Sequence, residues 1–397
     1  MKVGYFSHTS ITPSETFIYD LYKGLEHKGL NITYYCGKSS DDGSAITSIV
    51  YTGYAEEGLK KSFLAYKIGQ VAGRKGFNFK NEVQQYYSYK VLKKSVTSLP
   101  DVAYIDYATS ATLLVDFLSH NKIPFIVHVH GYDVTSAVND EVYKEKLKIV
   151  FSKATYIIAP SQHLRRMLIL LGCPDMKIHV IHYAVNSSKI IPLSWEAKLK
   201  NAPSIIFLGR LTPKKNPVAL LHAFKIVKDT IKNSRLTIIG DGELRHEARA
   251  KVGELNLNSS IEFLGALPRE KSFPIMNQHW VYAQHSVISS NGDQEGFPVS
   301  LAEAAAHALP IVSTIHSGIP ENVIDGETGF LVNEFNFELM AEKLIYLLKN
   351  PDIAEKMGAA GRQRIQRICQ PEYRINTIAE LIEEAYILSK HSDNIDK

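Results

Sequence analysis

Across its 397 residues this sequence repeats one pattern, and that pattern limits the folds open to it. Short β-branched apolar runs alternate with stretches of helical periodicity. Runs at Val3–Phe6, Ile32–Tyr35, Val102–Ile105, Phe125–Val129, Tyr156–Ala159 and Ile178–Ile181 read as strands too apolar to have a solvated face. Between them, Phe17, Ile18, Leu21 and Leu25 recur at helical spacing after Ser14, a predicted N-cap. This is the pattern of a parallel sheet covered by helices on both faces. It breaks over Tyr183–Pro203 and then resumes at Ile205–Leu208, Leu236–Ile239, Ile261–Leu264, Trp280–Ala283, Ile311–Ser313 and Phe330–Val332. The predicted class is therefore α/β, with two doubly wound, Rossmann-like domains facing each other across a cleft. The expected boundaries are 1–185 and 186–372, with 373–397 a terminal helix packing back on the first domain.

Composition narrows the function. The apolar and charged fractions, 45% and 22%, are those of a globular protein, and no apolar run reaches spanning length. The first residues reach Ser7 and His8 too soon for a signal peptide. Cys36, Cys173 and Cys369 are widely separated, which fits a reduced cytoplasmic protein without a structural metal. The net charge of +4 is concentrated: residues 59–94 hold nine basic side chains, opposed by Glu82 alone. Aromatic residues such as Phe63, Tyr66, Tyr86 and Tyr89 interleave with them. Such a segment can lie on the anionic inner face of a membrane, hold a phosphorylated acceptor, or form ordinary solvated helices. Nucleic acid is not the expected partner.

Four stretches carry candidate chemistry. In the run from Asn291 to Glu303, Gly296 permits a turn and Pro298 suits the first turn of a helix. The free N–H groups of that helix would face an anion such as a pyrophosphate. Glu303 lies within the helix, placed to accept from a ribose diol, and Glu295 on the loop lies nearer a transferred sugar. An ordinary capped helix with solvated glutamates is the alternative. Gly209-Arg210-Leu211-Thr212-Pro213-Lys214-Lys215 follows a predicted strand directly. There Arg210 offers a planar fork and Lys215 a compact charge for phosphate oxygens, while Lys214 reads as a solvated lysine. Positive charge at that point lowers the barrier for a departing diphosphate.

His128-Val129-His130-Gly131-Tyr132-Asp133 ends another strand. Alternation puts both histidines on one face. An H-x-H pair can bind a metal, but no third ligand is evident, so no metal is expected. His130 is predicted to reach the cleft, with Asp133 orienting it or meeting a sugar hydroxyl. Gly240-Asp241-Gly242 reads either as a structural turn or as close backbone approach to a phosphate or ribose. Leu264, ending its strand, joins the expected donor set. Glu15 and Thr16, in the first strand-to-helix loop, are candidates for acceptor contact.

Together these residues resemble the family 4 retaining glycosyltransferases, which have the GT-B fold. Glu295 and Glu303 match the E-x7-E motif, and Gly209, Arg210 and Lys215 match G-R-L-x-x-x-K. Ser317–Glu321 and Asp325–Phe330 look similar too. Ser14–Ile18 and His130–Asp133 look most like the branch that builds bacterial exopolysaccharide of the colanic-acid and amylovoran kind. The resemblance implies that Arg210 and Lys215 hold a diphosphate and that Glu303 binds the ribose. It implies that Glu295, with backbone N–H groups around Gly296, Phe297, Pro298 and Val299, contacts the donor hexose. It assigns His130 to the donor sugar and reacting centre. The implied reaction moves a hexose from a nucleotide-sugar, with UDP favoured, to a glycan or polyprenyl-linked oligosaccharide. Anomeric configuration is retained and no cofactor is needed. Asn216 departs from the glycine common after the lysine. No Asp-x-Asp pair occurs, so metal-independent transfer is expected. A GT-B epimerase or phosphorylase and a non-catalytic sugar-nucleotide sensor are the rival readings.

Overall fold

The computed structural model describes residues 1–9, 16–38, 49–55 and 77–395. It divides into two compact units, Met1–Ile181 joined by the chain from Glu372, and His182–Pro371.

The first unit is built on a seven-stranded parallel sheet. Its strands are β1 (Lys2–Thr9), β2 (Asn31–Lys38), β3 (Ile49–Tyr51), β4 (Val102–Asp106), β5 (Phe125–His128), β6 (Tyr156–Ala159) and β7 (Ile178–Val180), in the order β3-β2-β1-β4-β5-β6-β7. The central strands are buried on both faces, as their uninterrupted apolar sequences require. On one face, α1 (Thr16–His27) buries Ile18, Leu21, Tyr22 and Leu25 against Tyr5, Tyr34 and Tyr104. The last helix, Pro371–Ile395, adds Ile378, Leu381, Ile382 and Ala385 to the same cluster. On the other face, α2 (Phe77–Ser95), α3 (Ala108–His120) and α4 (Glu141–Lys153) contribute Leu92, Leu114, Phe117 and Phe151 to a second core.

The second unit carries a six-stranded parallel sheet. Its strands are β8 (Ser204–Leu208), β9 (Arg235–Ile239), β10 (Ile261–Gly265), β11 (Val281–Ala283), β12 (Ile311–Thr314) and β13 (Gly329–Val332), in the order β10-β9-β8-β11-β12-β13. Both sheets thus follow the Rossmann order, the winding of each reversing between its first and fourth strands. Ligands bind such sheets outside the carboxyl ends of the strands flanking that reversal. In the first unit these are β1 and β4, and in the second β8 and β11.

Some predicted strands are longer where polar residues pair through their backbones, as Lys2 does with Asn31 and Thr9 with Lys38, and others, such as Phe125–His128, Ile178–Val180 and Val281–Ala283, are one residue shorter. The edge strand β3 was not predicted, because three residues are too few to show a period. The predicted cap Ser14 and the candidate Glu15 lie outside the described residues, as does most of the basic segment before Phe77. Within that segment, Lys90, Lys93 and Lys94 are exposed on α2. Among the described residues no helix is long and apolar enough to cross a membrane.

Candidate active site

In the second unit the chain leaves β8 at Leu208, and the loop that follows brings Lys215 back over the sheet. The ammonium of Lys215 lies 2.8 Å from Glu295 Oε1, both side chains being almost fully buried. Lys215 also donates to Gln284 Oε1 at 3.3 Å. Gln284 follows β11 directly, so the three groups meet at the reversal point between β8 and β11. The Tyr282 hydroxyl lies 3.0 Å from Gln284 Oε1 and 2.9 Å from the Leu208 carbonyl, tying the two strand ends together.

Burial would raise the pKa of Glu295. The ammoniums of Lys215 and Lys214 outweigh it and hold the carboxyl down to about 2. Burial also lowers Lys215, against the opposing pull of Glu295. The two shifts have opposite consequences for the pair. Glu295 is ionised, because two ammonium groups act on it.

Arg210 is exposed, and its charge reaches Lys215, disfavouring the ammonium there. Lys214 departs from expectation. It is buried, not solvated, 3.1 Å from Asp293, and it donates to the Gln294 carbonyl at 3.2 Å. It therefore fastens the segment that carries Glu295. That segment leads into an eight-residue helix, Val299–Ala306, with Pro298 at its N-cap and no side-chain cap. Its first amides have no helical partner and favour negative charge. Phe297 is buried with its ring stacked 4.6 Å from His182, so its backbone is the part that can meet a ligand. Glu303 accepts from Arg269 Nε at 2.8 Å, a second carboxylate–cation pair along the same helix.

Gly240 and Gly242 have a packing role. A Cβ on Gly240 would lie 1.8 Å from the Gly209 carbonyl oxygen, and one on Gly242 would lie 2.5 Å from that of Leu211. Both glycines have positive φ. Leu211 N donates to Asp241 O and Leu244 N donates back to Leu211 O, each at 2.9 Å. The loop after β9 thus supports the loop that carries Arg210 and Lys215. Leu264 is half-buried where the β9–β10 pairing skips from Phe263 to Gly265.

In the first unit, His130 Nε2 lies 2.9 Å from Asp106 Oδ1, with both side chains buried. His130 packs against Tyr107 at 4.4 Å and against His128 at 4.4 Å between ring centroids. His128 is buried beneath it, its Nδ1 2.7 Å from the Tyr104 hydroxyl, and burial, followed by His130 and Arg374, keeps its pKa well below the usual value. Asp106 is the third metal-ligand type that the sequence did not reveal. It and the two histidines place ligand atoms within 4.8 Å of one another. The positive charge of Arg374 opposes a cation there. Of the two roles expected for Asp133, its contacts fit the orienting of His130. Asp133 is fully buried and accepts from the backbone N–H groups of Ala108, His130 and Gly131 at 2.9, 3.0 and 3.0 Å. It shapes the His130 turn from within and does not face an acceptor. Thr16 opens α1, half-buried.

Residues 14–189 match the family described as Glycosyltransferase Family 4, and residues 194–364 match Glycosyl transferases group 1. The chain belongs to the family 4 glycosyltransferases. It is 27% identical over 254 residues to the amylovoran biosynthesis glycosyltransferase AmsK of Erwinia amylovora, covering 64% of this chain and 62% of AmsK. To the putative colanic acid biosynthesis glycosyltransferase WcaL of Salmonella typhimurium it is 28% identical over 256 residues, covering 64% and 63%. The matched region is thus under two thirds of either relative. Anabaena Alr3699/HepE, solved in complex with UDP, shares the GT-B fold at a TM-score of 0.73 and 16% identity, covering 97% of this chain and all of that one.

Within the second unit the structure brings together Lys215, Glu295 and the start of the Glu303 helix, with Arg210 beside them. His130 belongs to the other unit. Sequence reasoning missed Gln284, Arg269 and Asp106. Gln284 and Asp106 end or follow central strands next to the reversal points, and that position is a signal that could have found them. Arg269 lies in no motif with Glu303, which only folding brings close.

Proposed function

We propose that the chain is a retaining glycosyltransferase. It transfers a hexose or hexose derivative from a nucleotide diphosphate sugar to a glycan or polyprenyl-linked oligosaccharide in bacterial surface polysaccharide assembly. The reading rests on the buried Lys215–Glu295 contact of 2.8 Å at the end of β8. A fixed ammonium there, with Arg210 near it and the free amides at Val299, offers the positive potential that a departing diphosphate requires. Glu295 is the group placed beside the transferred sugar, and Glu303 beside the ribose. His130 is assigned to the reacting centre. UDP is the favoured carrier, an assignment supported by the UDP held by the similarly folded HepE. With two protein cations and a helix N-terminus opposite the diphosphate, transfer proceeds without a metal ion.

The test is a thermal-shift screen of UDP-, GDP- and ADP-sugars, followed by transfer assays with the stabilising donor. A binding donor raises the unfolding temperature in proportion to RT ln(1 + [L]/Kd). We expect one UDP-sugar to stabilise the fold and transfer to continue in EDTA. Loss of turnover in EDTA with recovery in magnesium would remove the metal-independent mechanism. A new sugar nucleotide formed without acceptor would make the protein an epimerase.

A further inference from the structure

Glu295 is held at both ends, and its main-chain anchor is a pair, a buried histidine with a half-buried glutamate, that belongs to neither sequence motif. His316 follows β12 closely, and Glu334 follows β13. Those strands are paired in register up to Thr314 and Val332. The His316 side chain is fully buried, with Nδ1 2.6 Å from Glu334 Oε1. Its Nε2 lies 3.1 Å from the backbone N of Glu295, which can only donate. Nε2 must therefore be the bare nitrogen, and the ring proton sits on Nδ1, facing a carboxylate that can only accept it. Both ends of the ring demand the same tautomer. The other Glu334 oxygen accepts from the Ile288 N–H at 2.9 Å, which fixes the carboxylate. Ser317 Oγ, 3.2 Å from Nε2, lies 3.0 Å from Gln294 Oε1, so its proton has another acceptor.

We infer that Glu334 and His316 are positioning residues for Glu295. Together they run from the ends of β12 and β13 to the peptide that carries the sugar-facing carboxylate. Lys215 fixes the carboxylate itself, so the imidazole sets the distance between the two anchors. The catalytic part of this inference rests on the role given to Glu295 above. The conformational part does not.

Two readouts separate them. His316→Phe keeps the ring and removes both nitrogens, whereas His316→Gln restores an acceptor for the Glu295 amide. In donor turnover, His316→Phe should lower kcat by about 10²-fold, the scale of a small misplacement of a reacting group. KM for the donor should stay within about 3-fold, because the diphosphate contacts remain. His316→Gln should recover most of kcat, and Glu334→Leu should resemble His316→Phe. In hydrogen exchange, which needs no activity, residues 289–297 should exchange faster in His316→Phe and return to the wild-type rate in His316→Gln. Unchanged exchange in His316→Phe would overturn the inference, as would equal rates for the Phe and Gln variants. An inactive wild type that still shows the exchange pattern would overturn the assigned reaction and leave the anchor standing.

Discussion

At the scale of single residues, Lys215 and Glu295 illustrate what burial does to an ion pair. Each desolvated charge depends on the other, so removing one leaves an uncompensated charge inside the fold. Such truncations cost about 3–5 kcal/mol. Lys215→Met and Glu295→Gln should each lower the urea midpoint, and the double variant should be less destabilised than the two effects summed, by at least about 1 kcal/mol. Strict additivity would mean that the pair is not coupled. Each single variant should also lower kcat about 10²-fold, as loss of a charge-stabilising group does. Part of this centre was legible from the sequence, because Gly209–Lys215 and Glu295–Glu303 each lie within one short stretch. Gln284, His316 and Glu334 were not, since strand register alone makes them neighbours. Lys214 shows the reverse failure: its sequence environment looks like a solvated loop, yet the fold buries it against Asp293.

At the scale of elements, the strands were legible because a strand buried on both faces must be apolar throughout. Helix starts and the edge strand β3 were less so, since they depend on caps and on pairing with a neighbour. The loops after β8 and β9 carry the clearest local prediction. Gly240→Ala would drive a methyl into the Gly209 carbonyl at 1.8 Å, at a backbone angle that disfavours any side chain. It should destabilise the protein by about 2–4 kcal/mol and weaken donor binding, as strained or overpacked sites do. Gly253→Ala is the internal control. It lies in the helix Arg245–Glu254, and nothing stands within 4 Å of the added carbon. That substitution should stabilise by about 0.5–1 kcal/mol. Urea unfolding of both variants reads the contrast, and equal effects would refute the packing role given to Gly240.

At the scale of the whole molecule, buried histidines set the response to acid. Burial brings His279, His285 and His307 down to about 4, with Lys198 adding to the effect at His279 and His307. Their usual value is 6.5, so below it the unfolded chain binds protons that the folded chain refuses. Stability should therefore fall as pH drops from about 6.5 toward 4, with a slope of more than three protons, because burial holds His128 down as well. Glu295, depressed to about 2, adds a further loss between about pH 4.3 and 2, where its carboxyl is protonated in the unfolded chain but still ionised in the fold. Urea midpoints measured from pH 7 to pH 4 test this, and His307→Gln should reduce the slope by about one proton. A midpoint independent of pH would contradict it.

The mutual support of the segments after β8 and β9 has a practical consequence for anyone who wishes to change what this protein carries. Transplanting the Gly209–Lys215 stretch alone from a relative would set a foreign main chain on a floor shaped for the resident one. The two stretches form a single module, so a chimera that exchanges them together is the one to build.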